Sequence, residues 1–217
     1  MTEGRPPKGS ADDHRPKDSR TTDRTALVLT VSDRSAAGTR EDASGAILTE
    51  RLTALGFFVE RVVVSDDRDA IEQALRAGSE AHGLIVTTGG TGLTPRDVTP
   101  QATQAVIDYE VPGMAEAIRA DGRAHTPFAV LSRAVVGVRG RTLIVNTPGS
   151  PKAAGESLEA IVPVLEHALE TLAGPHDHGS GGEGGAGEQE TGDAPGDSTE
   201  DQHEFGRPDD EAPEGSD

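Results

Sequence analysis

The sequence predicts an α/β fold, a three-layer αβα arrangement with a mostly parallel central sheet, flanked by a disordered N-terminal arm and a disordered acidic C-terminal tail. Three observations predict it. Apolar, β-branched runs recur at residues 25–31, 57–64 and 83–88. Stretches with helical apolar spacing lie between them, the alternation of a parallel sheet with crossover helices. Polarity is concentrated at the two ends of a chain that is only 33% apolar and 2% aromatic, too polar on average to be folded throughout. The expected division is an arm over residues 1–24, one domain over 25–174 and a tail over 175–217.

Taken in order, residues 1–24 carry Pro6, Pro7, Pro16 and mixed charge with few apolar side chains, too few to offset the entropy lost on ordering. Residues 25–31 form a continuous apolar run, the pattern of a strand covered on both faces. Ser32, Asp33 and Arg34 follow at its carboxyl end, where open α/β sheets bind ligands. Residues 44–55 read as a helix with Ile47, Leu48, Leu52 and Leu55 on one stripe, stopped by Gly56. A second strand at 57–64 leads to Ser65, Asp66 and Asp67. A helix over 69–77 turns Ile71 and Leu75 inward and is expected to end at Gly78.

The third strand runs into Thr87-Thr-Gly-Gly-Thr-Gly92, and Thr99-Pro100 then reads as an N-cap with Pro in the first turn of a helix reaching residue 109. Another helix begins at Pro112. Residues 127–133 fit either a helical or an extended segment. Residues 134–138 and 142–145 read as strands around a tight turn at Gly140. Asn146-Thr-Pro-Gly-Ser-Pro151 joins the second of them to a final helix over 152–172, which Pro163 is expected to kink or divide.

Composition limits the chemistry. The chain has no cysteine, which excludes disulfides and thiolate sites. It has no apolar run near the roughly 18–20 residues needed to cross a bilayer and no hydrophobic signal core in residues 1–24, so a soluble, cytoplasmic protein is expected. The net charge is -18, and the tail holds 14 acidic residues against the single Arg207. Such a chain is not expected to bind nucleic acid or a membrane, since phosphate surfaces need clustered Lys and Arg. Any phosphate site must be built locally.

The glycine stretch can build one. Gly89, Gly90 and Gly92 allow φ > 0 and bring bare N–H groups close to an anion. Arg96 and Asp97 add a cation and a carboxylate at the loop's end. No Lys follows Gly92, so the Walker phosphate loop is absent, and no Gly-x-Ser-x-Gly nucleophile is present. The equipment is that of phosphoryl-type chemistry, which needs chiefly positioning and charge neutralisation.

Thr87-Thr-Gly-Gly-Thr-Gly92 with Pro95-Arg-Asp-Val-Thr-Pro100 resembles the signature of the MogA/MoaB family of molybdenum cofactor biosynthesis, which includes molybdopterin adenylyltransferases and the gephyrin G domain. Thr30-Val-Ser-Asp-Arg34 and Asn146-Thr-Pro-Gly-Ser-Pro-Lys152 match in the same order, so the resemblance spans about residues 25–173. It implies Mg2+- and ATP-dependent adenylyl transfer to molybdopterin, giving adenylylated molybdopterin and pyrophosphate. By motif it implies Asp66 and Asp97 as the catalytic and metal-holding carboxylates, with Asp67 a rival for Asp66. Thr88, Gly89, Gly90, Thr91, Gly92 and Arg96 would bind the nucleotide phosphates, although Arg96 could instead pair with Asp97. Ser32, Asp33, Ser132, Pro148, Gly149 and Ser150 would line the molybdopterin side. The family habit implies a homotrimer and a molybdenum insertase as partner. A catalytically silent molybdopterin-binding paralogue or a scaffold component is the alternative.

Overall fold

The computed structural model describes residues 24–174; the expected arm, apart from Arg24, and the expected tail over 175–217 lie outside the described residues. The described residues form a six-stranded sheet with helices on both faces. In chain order the elements are β1 (Thr25–Val31), α1 (Asp33–Ala36), α2 (Ala43–Ala54), β2 (Phe58–Val64), α3 (Arg68–Ala81), β3 (Leu84–Thr88), α4 (Thr99–Gln104), β4 (Tyr109–Glu110), α5 (Pro112–His125), a 3-10 turn (Pro127–Leu131), β5 (Val136–Arg139), β6 (Thr142–Thr147) and α6 (Pro151–Ala173). The strand order is β2-β1-β3-β6-β5-β4. The first four of these are mutually parallel, while β5 and β4 are antiparallel additions at one edge.

The side-chain alternation of the strands divides the core. Ala26, Val28, Leu84, Val86, Leu143 and Val145 face α2, α5 and α6, whereas Leu27, Leu29, Val31, Ile85 and Ile144 face α3 and α4. Burial on both faces explains why β1 reads as an unbroken apolar run. Fully burying an aliphatic side chain contributes about 1.5–3 kcal/mol.

Four expectations change. Gly78 does not end its helix: α3 continues to Ala81. The glycine is buried, and a Cβ there would lie 2.5 Å from Leu27 Cδ2 and 3.0 Å from Ile85 Cδ1, so it permits close packing of helix on sheet. Gly78→Ala is expected to cost about 1–3 kcal/mol through overpacking, measured by chemical denaturation; unchanged stability would mean that the two side chains move aside freely. The helix expected to reach residue 109 stops at Gln104, and Tyr109–Glu110 instead pairs with Val138 and Gly137. Thr99 is not the N-cap of that helix. Val98 holds the position with no side-chain cap, and the Thr99 hydroxyl donates to the Gly89 carbonyl, 2.9 Å away. Finally, α6 runs undivided through Pro163. Pro163 and Glu159 are both exposed, so water can satisfy the carbonyl that lacks an intrahelical donor.

Candidate active site

Register places the ends of the parallel strands together. Val31 pairs with Val64, Thr30 with Thr88 and Thr88 with Thr147. Residues just beyond them therefore share the carboxyl edge of the sheet. From that edge β1 leads to α2 on one face and β3 leads to α4 on the other. Connections that diverge in this way leave a crevice between the two strands, the topological switch point of an open α/β sheet.

The glycine loop lies there. Gly89 and Gly90 have φ of 100° and 63°, the left-handed region that other residues rarely adopt; Gly92 does not. A Cβ on Gly89 would stand 2.4 Å from the Val31 carbonyl oxygen. The loop is tied on both sides. The Gly89 N–H donates to Thr147 O at 3.2 Å, the Thr88 hydroxyl to Pro148 O at 2.7 Å, and the Thr99 N–H to Gly90 O at 3.1 Å. The Thr88 hydroxyl and the Gly89 amide are thus engaged by the protein itself. The amides of Gly90 and Thr91 have no acceptor among the described residues.

Beside the loop, Ser32, Asp33, Asp66, Arg96 and Asp97 line one recess of about 280 Å3. Asp33 and Asp66 exchange bonds: the Asp33 N–H donates to Asp66 Oδ2 at 3.0 Å and the Asp66 N–H to Asp33 Oδ1 at 2.9 Å. This exchange joins the segments after β1 and β2. Arg96 is ion-paired with Asp33 rather than with Asp97. Asp67 instead caps α3, accepting from the Ala70 N–H at 2.9 Å. Asp97 accepts from both the N–H and the hydroxyl of Thr94, at 2.8 and 2.7 Å.

The two carboxylates titrate in opposite directions. Burial raises the Asp66 pKa above the ordinary value, and the negative charge of Asp97 raises it further. Burial also raises that of Asp97, but hydrogen bonds from Thr94 and the Gly92 amide, with the Arg133 charge, bring it below the ordinary value. Asp66 ionisation therefore opposes folding: its contribution to stability is present below the unfolded pKa and is lost as pH rises through the folded one. In metal-free protein, Asp97→Asn removes a neighbouring negative charge and is expected to lower the Asp66 pKa. Carboxyl NMR titration checks this, and an unchanged Asp66 curve would show that the two groups do not interact.

Among the described residues no three metal-ligating side chains converge. Asp66 and Asp97 are hard oxygen donors of the kind that would suit Mg2+. That ion usually takes one or two protein carboxylates and completes its shell with water and substrate phosphates.

On the other side of the loop, Thr91, Gly92, Ser132 and Pro148 line a largely apolar groove of about 460 Å3. The residues expected together on the molybdopterin side are thus distributed. Ser32 and Asp33 lie with the carboxylates, Ser132 and Pro148 in the groove, Gly149 against Gly89, and Ser150 at the N-cap of α6. A cavity of about 580 Å3 lined by Leu55, Phe57 and Leu165 lies away from this edge, near the start of β2.

Sequence reasoning missed Arg133. Its Nε donates to Gly92 O at 2.7 Å, its Nη2 to Asp97 O and its backbone N–H to Thr91 O at 3.1 Å. One residue therefore clamps three carbonyls of the glycine loop and its extension. Its position directly after Ser132 was the only available signal. Asp42 was missed too. It caps α2 while accepting from Thr30 and Arg61, each at 2.8 Å. Burial raises its pKa, and Arg61 with the Gly45 and Thr30 donors brings it below the ordinary value.

The family model described as "Probable molybdopterin binding domain" matches residues 27–167. The chain belongs to this molybdopterin-binding domain family. Within the family it is similar to a molybdopterin adenylyltransferase of Helicobacter pylori, 40% identical over 154 residues, covering 68% of this chain and 86% of the relative. It also resembles the crystal structure of the molybdopterin biosynthesis enzyme MoaB from Thermus thermophilus. That likeness has a TM-score of 0.65 at 50% identity and covers 70% of this chain and 97% of the other. A molybdenum cofactor biosynthesis bifunctional protein of Chlorobaculum tepidum is 38% identical over 170 residues, which cover 77% of this chain and 52% of that larger protein. The molybdopterin-binding domain therefore also occurs joined to further sequence. Among the described residues, no helix is long and apolar enough to cross a membrane.

Proposed function

We propose that this protein catalyses Mg2+-dependent transfer of the adenylyl group of ATP to the terminal phosphate of molybdopterin. The observation that carries the reading is the meeting of Asp66 and Asp97 in one recess beside the glycine loop. The similarity to molybdopterin adenylyltransferases supports the substrates. An oxygen of the molybdopterin phosphate attacks the α-phosphorus, and the bond from that phosphorus to the oxygen bridging the β-phosphate breaks. Pyrophosphate leaves with the electron pair. The attacking oxygen is already ionised, so no general base is required, and the protein contributes alignment and charge neutralisation.

Each part of the site has a role in this reading. Asp66 and Asp97 hold Mg2+, which neutralises phosphate charge when bound. The Gly90 and Thr91 amides point the loop's dipoles at a phosphate, with Thr88, Gly89 and Gly92 shaping the cradle. Ser32 and Asp33 border the reacting phosphates. Arg96, held by Asp33, adds positive charge near them. The groove with Ser132 and Pro148 takes the pterin, bounded by Gly149 and Ser150. Homotrimeric assembly, a cytoplasmic location and a molybdenum insertase as the receiving partner belong to the same reading.

The test is incubation of the purified chain with molybdopterin, ATP and Mg2+, with product followed by mass spectrometry. Adenylylated molybdopterin and pyrophosphate are expected in equal amounts. Molybdopterin binding with ATP left intact would overturn the reading and mark a silent binding member of the family.

A further inference from the structure

The carboxylate recess adjoins a smaller polar cavity of about 130 Å3 against the glycine loop. Val31, Ser32 and Arg40 line both. The smaller cavity reaches Thr88, Gly89 and Gly149, while the larger reaches Arg34 and the three aspartates. The shared residues set the two side by side, one against the loop and the other against the carboxylates.

The arginines that line these two cavities or bond to residues lining them differ in what engages them. Arg96 is paired with Asp33, Arg61 with Asp42, and Arg133 with the carbonyls of Gly92 and Asp97. Arg34 and Arg40 have no carboxylate partner among the described residues, although acidic side chains outnumber basic ones over residues 24–174. They are also held close together. The Arg34 carbonyl accepts from the N–H groups of Thr39 and Arg40, at 2.9 and 3.2 Å, and from the Thr39 hydroxyl at 3.0 Å. That closed turn sets both residues on the wall of one recess.

From this arrangement we propose that Arg34 and Arg40 form a binding site for the β- and γ-phosphates of the nucleotide, and for the pyrophosphate they become. The inference rests on the adenylyl-transfer reading and extends it to the leaving group. Negative charge builds on the β-phosphate oxygen as its bond to the α-phosphorus breaks, in a recess that already holds Asp33, Asp66 and Asp97. A triphosphate there needs cations beyond the metal, and guanidinium groups without internal partners supply them through paired hydrogen bonds.

The test uses the full chain and two probes, Mg-pyrophosphate and AMP, titrated calorimetrically. The double variant R34Q/R40Q is expected to bind Mg-pyrophosphate about a hundredfold more weakly, about tenfold for each arginine. Its KM for ATP should rise, with AMP affinity unchanged. R34K/R40K should recover part of the loss, and R123Q, an arginine substitution on α5, should behave as the unaltered protein. The proposal is overturned if R34Q/R40Q binds Mg-pyrophosphate normally, if AMP binding weakens equally, or if the unaltered protein does not bind Mg-pyrophosphate. Normal adenylylation by the unaltered protein combined with normal pyrophosphate binding by R34Q/R40Q sinks only the arginine site. Arginine-dependent pyrophosphate binding without any adenylylated product sinks the adenylyl-transfer reading and leaves a polyphosphate site.

Discussion

Asp97→Asn is expected to reduce adenylyl transfer by at least about a thousandfold, roughly 4 kcal/mol of barrier, because in the proposed reading it removes one of the two charges that would hold Mg2+. The substitution separates charge from shape. Asp97 orders its turn by accepting from the N–H and hydroxyl of Thr94, and the amide oxygen of Asn can accept the same bonds. The Arg133 bond goes to the Asp97 backbone carbonyl and survives any side-chain change. Molybdopterin affinity and thermal stability should therefore stay close to those of the unaltered protein while turnover collapses. Turnover within tenfold of normal, measured by product mass spectrometry, would remove Asp97 from the metal site. Asp67→Ala provides the contrast. Asp67 caps α3, and its loss should affect stability by about 0.5–2 kcal/mol with little effect on turnover.

Gly89→Ala is expected to damage stability and activity together. At φ of 100° a side chain is strained whatever the surrounding space. Here the space is also taken, since the new Cβ would lie 2.4 Å from the backbone oxygen of Val31. A backbone atom at the end of a buried strand cannot swing away as the tip of a leucine can. A loss of about 3 kcal/mol is expected from strain and displacement, which for a domain of this size corresponds to a fall in Tm of roughly 6–12 °C. The displaced loop would carry the Gly90 and Thr91 amides with it, so ATP binding should weaken as well. A variant with unchanged Tm and nucleotide affinity would show that the loop's shape does not depend on glycine there.

The three-layer architecture was legible in the sequence because burial on two sheet faces and one helix face imposes periodicities that a single chain displays. The run at residues 25–31 and the helical stripe of Leu48 and Leu52 are such records. Element ends were less legible. Gly78 has the local character of a helix stop, yet its helix continues to Ala81, and the glycine serves close packing on Leu27 and Ile85, which leave no room for a Cβ. Thr99 has the local character of a cap, yet its hydroxyl is drawn to Gly89, ten residues away. Local preference amounts to about a kilocalorie per mole, and packing or a buried hydrogen bond can exceed it.

The candidate site divides in the same way. Residue types and order alone determined a glycine loop followed by Asp97, an acidic segment after the second strand, and the family to which the chain belongs. Only the tertiary structure decided which residues meet: Asp66 in the recess while Asp67 caps a helix, Arg96 with Asp33 rather than with Asp97, and Arg133 as the clamp on the loop. The physical reason is that chemical character belongs to each side chain and can be read position by position. Pairing depends on strand order and register, which bring residues 33, 66, 97 and 133 to one edge of the sheet although no local spacing connects them.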